Sequence, residues 1–140
     1  MSVEITVGRD LIRVTFTGVL TGKDLADVAA AADEIERGRD PVPNRLSDLT
    51  QVTEMQVAYP DVKVLADHRR KLSFPNAFKS ALVVRTPVQM GMARMFQTLN
   101  DNPQITIQIF EDETAALSWL SYESPRPAES RSAPGAPTVG

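Results

Sequence analysis

Residues 79–110, KSALVVRTPVQMGMARMFQTLNDNPQITIQIF, decide the fold that we predict for this chain. The apolar run ALVV predicts a strand that is buried on both faces. Thr86 and Pro87 then begin a helix, because threonine caps a helix N-terminus and proline fits the first turn. The alternation in QITIQIF predicts a second strand with one buried face. A strand, a helix and a strand in succession predict a crossover connection between parallel strands.

Upstream of this segment, two strands and a helix are predicted. In VEITVGRDLIRVTFTG (residues 3–18), apolar and polar residues alternate on both sides of GRD, which predicts two strands around a turn. TGKDLADVAAAADEIERG (21–38) predicts a helix, because Thr21 and Asp24 have the spacing of a capping box. Gly38 fits the left-handed residue that commonly follows a last helical turn.

Three more elements complete the predicted order. RLSDL (45–49) predicts a short strand, PDVKVLADHRRKL (60–72) a helix that begins at proline, and DETAALSWL (112–120) a short final helix. The order is then β-β-α-β-α-β-α-β-α. It predicts an α/β fold with a mixed sheet of about five strands and with four helices.

The domain organisation follows from a change in composition near the C-terminus. Residues 1–122 predict one domain. Residues 123–140 contain four Pro and two Gly and almost no large apolar residue. Such a segment cannot bury enough apolar surface to offset the entropy lost on ordering, so we expect a disordered tail.

Composition excludes several classes of function. The net charge of −3 argues against general nucleic-acid binding, which requires a basic face. The chain has no Cys, which excludes disulfides, thiolate metal sites and cysteine nucleophiles. The N-terminus lacks the basic start and apolar run of a signal peptide, and no segment approaches the roughly 18 consecutive apolar residues of a membrane span. We therefore expect a cytoplasmic protein.

Two features resemble chemical sites without meeting their requirements. GVLTGKD (18–24) lies between a strand and a helix, but a phosphate-binding loop needs four residues between its glycines and a hydroxyl after the lysine. Here three residues intervene and Asp24 follows the lysine. His68 is the only histidine, and without other His or Cys residues it predicts no metal site. We expect no catalytic residue, no metal and no cofactor.

Helical spacing assigns most methionines of the third helix to the core. One face of that helix collects Val88, Met92, Met95, Phe96 and Leu99. Met90 and Arg94 point the other way. We therefore expect Met90 to be exposed, where a flexible thioether suits adaptable apolar contacts.

The element order and two local stretches resemble the STAS superfamily, which includes the domains of anti-sigma-factor antagonists and of anion-transporter tails. LSDLTQVTEMQVAYPD (46–61) is similar to the strand, turn and following helix of that superfamily. ALVVRTPVQMGMARMFQTL (81–99) and QIFEDETAALSWL (108–120) are similar to the SpoIIAA-like bacterial branch, whose members end in a Phe-acidic-x-x-x-Ala-x-x-Trp-Leu helix. The resemblance spans residues 3–121 and implies the same fold.

The resemblance also indicates where a phosphorylated serine would lie, and this chain has no serine there. In the antagonist proteins, the helix after the third strand begins with Asp-Ser-Ser-Gly, and a serine is phosphorylated. The corresponding residues here are Gln56, Val57, Ala58 and Tyr59. Neither serine position carries a hydroxyl, so the resemblance implies no regulation by phosphate at this site.

Two functions stay open at this point. The resemblance implies a non-catalytic binding or regulatory module in bacterial signalling, with a protein partner or self-association. The alternative is a lipophilic small molecule or a membrane surface bound through the second and third helices, because the SpoIIAA-like branch is also compared with lipid-binding CRAL-TRIO domains. A basic helix end, HRRK, would meet anionic head groups. The candidate binding residues are Thr53, Gln56, Val57, Tyr59, Asp61, Arg69, Arg70, Met90 and Arg94.

Overall fold

The computed structural model describes residues 3–121, which contain five strands and four helices in the predicted order. The strands are β1 (Val3–Val7), β2 (Leu11–Thr21), β3 (Asn44–Gln56), β4 (Phe78–Val83) and β5 (Ile105–Phe110). The helices are α1 (Gly22–Arg37), α2 (Tyr59–Arg70), α3 (Pro87–Leu99) and α4 (Glu113–Ser121). The predicted α/β fold is confirmed. The predicted tail lies outside the described residues.

The strands form one mixed sheet in which spatial order follows chain order, β1-β2-β3-β4-β5. β1 and β2 are antiparallel, with Val3 opposite Phe16 and Val7 opposite Ile12. The other three pairs are parallel, and each of them is connected by a helix. The crossover connections predicted from the helical segments between strands are therefore present.

The two faces of the sheet carry different helices. On β4, Ala81 and Val83 pack with Leu120 of α4. The alternate residue Leu82 packs with Ala93 of α3, on the face that α1 and α2 also cover. Burial on both faces explains the continuous apolar sequence of this strand.

Within residues 3–121, no helix is long and apolar enough to span a bilayer.

The ends of α1 confirm one sequence prediction and correct another. Thr21 Oγ1 accepts a hydrogen bond from the Asp24 N–H at 3.2 Å, and the Asp24 carboxylate accepts one from the Thr21 N–H at 2.9 Å. The capping box is therefore formed. Gly38 has a φ of −96°, so the prediction of a left-handed residue at this position is wrong.

Strand β3 is much longer than the predicted strand RLSDL. It runs for 13 residues and pairs with β2 as far as Thr21 opposite Gln56, whereas its pairing with β4 ends at Asp48. Residues 49–56 of β3 therefore extend past the end of β4 and pair only with β2. We call this segment the β3 overhang. The polar sequence TQVTE did not predict this extension. A strand segment with only one neighbouring strand does not need a continuous apolar pattern.

The first turn of α3 is held by Gln89 rather than by Val88. Gln89 is 1% exposed; its amide accepts from the Arg85 N–H at 2.8 Å and donates to the Val52 carbonyl at 3.3 Å. Val88 is 57% exposed, so its predicted place in the core is wrong. Met90 is half-buried and packs against the buried cluster that includes Ala93 and Ile107, so its predicted exposure is also wrong. Gln89 therefore faces the core in place of Val88, because its side chain fills the space next to the β3 overhang.

Candidate functional site

The N-terminus of α2 corresponds to the position of the phosphorylated serine in the antagonist proteins that the sequence resembles. Ala58 is the N-cap residue and has no side-chain acceptor. Asp61 supplies the acceptor instead: its carboxylate accepts from the Ala58 N–H at 2.9 Å. A Cβ atom on Gly22 would lie 2.5 Å from Asp61 Cγ, so the same carboxylate packs against the first turn of α1. A negative charge is favourable at both helix N-termini.

The two positions that align with phosphorylatable serines have different environments. Val57 is 8% exposed and belongs to the core that α1, α2 and β2 share. Ala58 is exposed at the helix end. Neither side chain can accept a phosphate. The helix end is already neutralised by Asp61, so it does not require an added anion.

An apolar cavity of about 90 Å³ lies beneath α2, between the sheet and the inner faces of α1, α2 and α3. Among its described lining residues, Ser47 is the one polar side chain. An apolar lining of this kind suits small apolar molecules. The lining residues are Phe16, Leu20, Leu25, Ser47, Leu49, Met55, Val57, Val62, Leu65, Leu82, Met92, Ala93 and Phe96.

The outer face of α2 combines exposed apolar side chains with positive charge. Tyr59 is 49% exposed and Val64 is 70% exposed. Asp67 accepts from Lys63 at 2.7 Å and from Arg70 at 3.3 Å, and the hydrogen bond from Lys63 lowers the pKa of Asp67. With the exposed Lys71 that follows the helix, three cations face one carboxylate on this surface, although the whole chain is acidic. We call Tyr59, Lys63, Val64, Asp67, Arg70 and Lys71 the α2 outer face.

A buried ionic cluster fixes the opposite side of α2. Arg69 is 4% exposed and donates two hydrogen bonds to Glu36 of α1, at 2.7 and 2.9 Å, while Arg45 of β3 donates to the same carboxylate. His68 contacts Asp33 of α1 at 2.5 Å. Removal from water, with the nearby charge of Arg69, lowers the pKa of Arg45 to about 10. The ion pairs connect α2, α1 and β3.

The position of Arg69 corrects the predicted basic surface. Arg69 faces inward, its guanidinium lies 5.6 Å from the centre of the Phe74 ring, and its charge is compensated by Glu36. It cannot contact an anionic head group without leaving this cluster. His68 is on the surface as expected, and Arg70 remains exposed. The basic surface is therefore made by Lys63, Arg70 and Lys71.

The other predicted binding residues are dispersed. Thr53 and Gln56 are exposed on the β3 overhang, and Gln56 donates to Glu54 at 2.9 Å. Arg94 is exposed on α3. Asp61 and Tyr59 lie at the start of α2. The structure therefore brings only part of the predicted set onto one helix face.

Sequence reasoning missed Lys63, Val64 and the acidic members of the ionic cluster. Val64 had a usable signal, because the helical spacing of Val62, Leu65 and Arg69 places it on the outer face. Glu36 had none, since its partners Arg45 and Arg69 are remote in sequence. Within residues 3–121, no group of three or more His, Asp or Glu side chains could hold a metal ion.

Comparisons with known proteins agree on the fold. A family model described as SpoIIAA-like matches residues 11–121. Among solved structures, an uncharacterized protein with a SpoIIAA-like fold from Shewanella loihica PV-4 is 21% identical, with a TM-score of 0.55 and coverage of 84% of this chain and 91% of that chain. An anti-sigma factor antagonist from Mycobacterium paratuberculosis is 16% identical, with a TM-score of 0.58 and coverage of 84% and 92%. No curated protein has a significant match to the chain.

The family model covers every element that builds the candidate site. It begins at the first residue of β2 and ends at the last residue of α4, so it includes α2, the apolar cavity and the ionic cluster. The two structural neighbours share the fold at low identity. The family match spans well over half of the sequence, and the chain therefore belongs to the SpoIIAA-like family.

Proposed function

We propose that the protein is a non-catalytic regulatory module of bacterial signalling in the cytoplasm, and that it binds a protein partner through the α2 outer face. The observation that carries this proposal is the exposure of Tyr59 and Val64 on one helix, among three cations. Large apolar side chains with a charged rim are typical of protein interfaces. The partner would present an apolar groove bordered by acidic residues.

The fold supports a regulatory role, and the sequence at the start of α2 excludes regulation by phosphorylation at positions 57 and 58. The similar structure from Mycobacterium paratuberculosis is an anti-sigma factor antagonist, which supports a regulatory role for the fold. In this chain, Val57 and Ala58 cannot be phosphorylated, and Asp61 already occupies the helix end. Binding would therefore be regulated by something other than phosphate at these two positions.

Tyr59 is the exposed aromatic side chain of the α2 outer face. The Tyr59→Ala variant should bind the partner at least about tenfold more weakly than the wild type, because truncating an aromatic hot-spot residue costs about 2 kcal/mol or more. The partner is captured from extract of the host cell on the immobilised full chain and identified by mass spectrometry. Its affinity for the purified wild type and variant is then measured by calorimetry.

Thr106→Ala is the matched control, because Thr106 is exposed on β5, away from α2. This control should bind the partner like the wild type. Equal binding by Tyr59→Ala and the wild type would contradict the proposed role of α2. Salt should weaken the wild-type complex, since exposed charges are screened beyond about 10 Å at 0.1 M.

A membrane surface is the competing occupant of the same face. If it binds there, the protein should attach to vesicles of anionic lipid, and Arg70→Glu with Lys71→Glu should abolish attachment. Arg69 is unsuitable for this test because its replacement would disrupt the buried cluster. Absence of vesicle binding together with capture of a protein favours the proposal.

A second candidate function rests on the apolar cavity. Its volume of about 90 Å³ is smaller than an engineered 150 Å³ cavity that holds benzene, so it fits a small apolar molecule. We propose that the cavity accepts such a ligand and that the ligand supports the inner face of α2, since Val57, Val62 and Leu65 line it.

Xenon is a suitable probe for the second candidate. Under xenon pressure, methyl NMR signals of Val57 and Leu65 should shift, whereas those of Val7, which is exposed, should not. Ala93→Leu extends a wall side chain into the cavity and should suppress the shifts. Equal shifts in this variant, or none in the wild type, would show that the cavity does not accept ligands.

A further inference from the structure

Strand β1 forms one edge of the sheet, and its free hydrogen-bonding groups can be identified. The Gly8 N–H donates to the Leu11 carbonyl at 2.9 Å, so these two residues form a hydrogen-bonded pair at the hairpin end. Such pairs alternate along antiparallel strands, so Glu4 and Thr6 also direct their backbone groups toward β2. The N–H and C=O groups of the intervening residues, Val3, Ile5 and Val7, therefore point away from the sheet.

Among the described residues, a side chain bonds to the edge strand β5, whereas none bonds to the outward backbone groups of β1. On β5, the side-chain amide of Gln97 donates to the Ile107 carbonyl at 2.7 Å. Within residues 3–121, no side chain makes a comparable bond to the outward groups of β1. The strand is short and carries one exposed charge, Glu4, but it has no lysine, proline or bulge, which are other features that protect an edge from pairing with another chain.

The sequence of β1 is complementary to itself in antiparallel pairing. If two copies pair around Ile5, Val3 of each copy lies opposite Val7 of the other, and Glu4 lies opposite Thr6. The outward backbone groups then face each other in the hydrogen-bonded positions of the ladder. Val3 and Ile5 pack on the helix-covered side, whereas Glu4 and Thr6 are exposed on the other side. No like charges are directly opposite.

We propose that two copies of this chain associate through β1, in antiparallel register around Ile5, and join their sheets into one continuous sheet. The helices α1, α2 and α3 of both copies would then lie on the same side of that sheet. This surface is separate from the α2 outer face, so the proposal does not depend on the proposed function. The pairing is short, and interfaces of small area are usually weak, so dimers should form reversibly with concentration.

The first test is hydrogen exchange at individual backbone amides of the full chain. In dilute solution the Ile5 and Val7 amides should exchange rapidly, whereas the Thr6 amide, which bonds to β2, should be protected. Ile5 and Val7 should become protected as concentration rises, in parallel with the mass measured by sedimentation equilibrium. A monomer over the whole accessible range with unprotected Ile5 would overturn the proposal. Protection that does not depend on concentration would also overturn it, because another part of the same chain would then cover the edge.

The second test uses substitutions at Thr6 with opposite effects on association and on folding. Thr6 faces Glu4 of the other copy in the proposed dimer, but it faces Arg13 within its own hairpin. Thr6→Lys should tighten the dimer by about two- to tenfold, and Thr6→Glu should weaken it by a similar factor. The thermal stability of the monomer should change in the reverse order. If association follows stability instead, the register is wrong.

The third test removes a single outward donor. Val7 is 38% exposed, and proline is tolerated on an edge strand where the lost N–H faces solvent. Val7→Pro should abolish the dimer, whereas Val7→Thr, which keeps the N–H and the branched side chain, should retain it. Dimerisation of Val7→Pro with wild-type affinity would overturn the proposal. If this variant does not fold, the Thr6 pair decides the question.

Discussion

Replacing Glu36 with glutamine is expected to lower the free energy of unfolding by about 3–5 kcal/mol, because removing one partner of a buried ion pair leaves uncompensated charge. Glu36 accepts hydrogen bonds from both Arg45 and Arg69, and all three side chains are buried. The substitution keeps the size of the side chain and removes its charge. Two guanidinium groups would then remain close together in a region of low polarity.

Glu34→Gln is the matched control for this prediction. Glu34 lies on the same helix, but its side chain is 81% exposed and its contact with Arg37 is 3.6 Å long. The control should change stability by at most about 0.5 kcal/mol. Denaturant unfolding of the two variants measures both values. Similar losses for Glu34→Gln and Glu36→Gln would show that the buried cluster does not stabilise the fold.

Phe16→Ala is expected to destabilise the protein by about 3–5 kcal/mol, as large-to-small substitutions in cores do. Phe16 is 5% exposed, lies on β2 and lines the apolar cavity. Its removal should enlarge the cavity, because the sheet beneath it cannot collapse fully. Xenon should therefore bind more strongly to this variant than to the wild type.

Phe96→Ala provides the comparison for Phe16. Phe96 lines the same cavity from α3 but is half-buried, so its truncation should cost less. Calorimetric unfolding of both variants gives the two values under the same conditions. A larger loss for Phe96→Ala than for Phe16→Ala would mean that the core is centred on α3 and not on β2.

The order of elements was predictable because each element has a clear local pattern. The alternation in VEITV and QITIQIF gave strands at both edges, and the apolar run ALVV gave the buried strand between the helices. Thr21 and Asp24 gave the start of α1, and the capping box is present. These signals act over a few residues, so a single sequence is enough to read them.

The errors arise where distant parts of the chain decide the local structure. Arg69 has the sequence context of a surface cation, and only the fold brings Glu36 beside it. Gln89 replaces Val88 as the inward residue because the β3 overhang offers a carbonyl at that point. Both outcomes depend on tertiary contacts that helical spacing does not contain.

The candidate site was predictable only as a region. The sequence indicated the segment around α2, and the structure refines this to one outer face with Tyr59, Val64 and three cations. The cavity beneath it could not be deduced, because it depends on how closely the apolar side chains of three helices and the sheet fill their common space.

Site-specific photo-crosslinking in the host cell tests the role of α2 most directly. A photoreactive amino acid is placed at Tyr59, at Val64 or, as control, at Thr106, and crosslinked products are identified by mass spectrometry. We expect the same protein to be crosslinked from both α2 positions and not from Thr106. Lipid as the sole product at α2, or equal protein crosslinking from all three positions, would contradict this expectation.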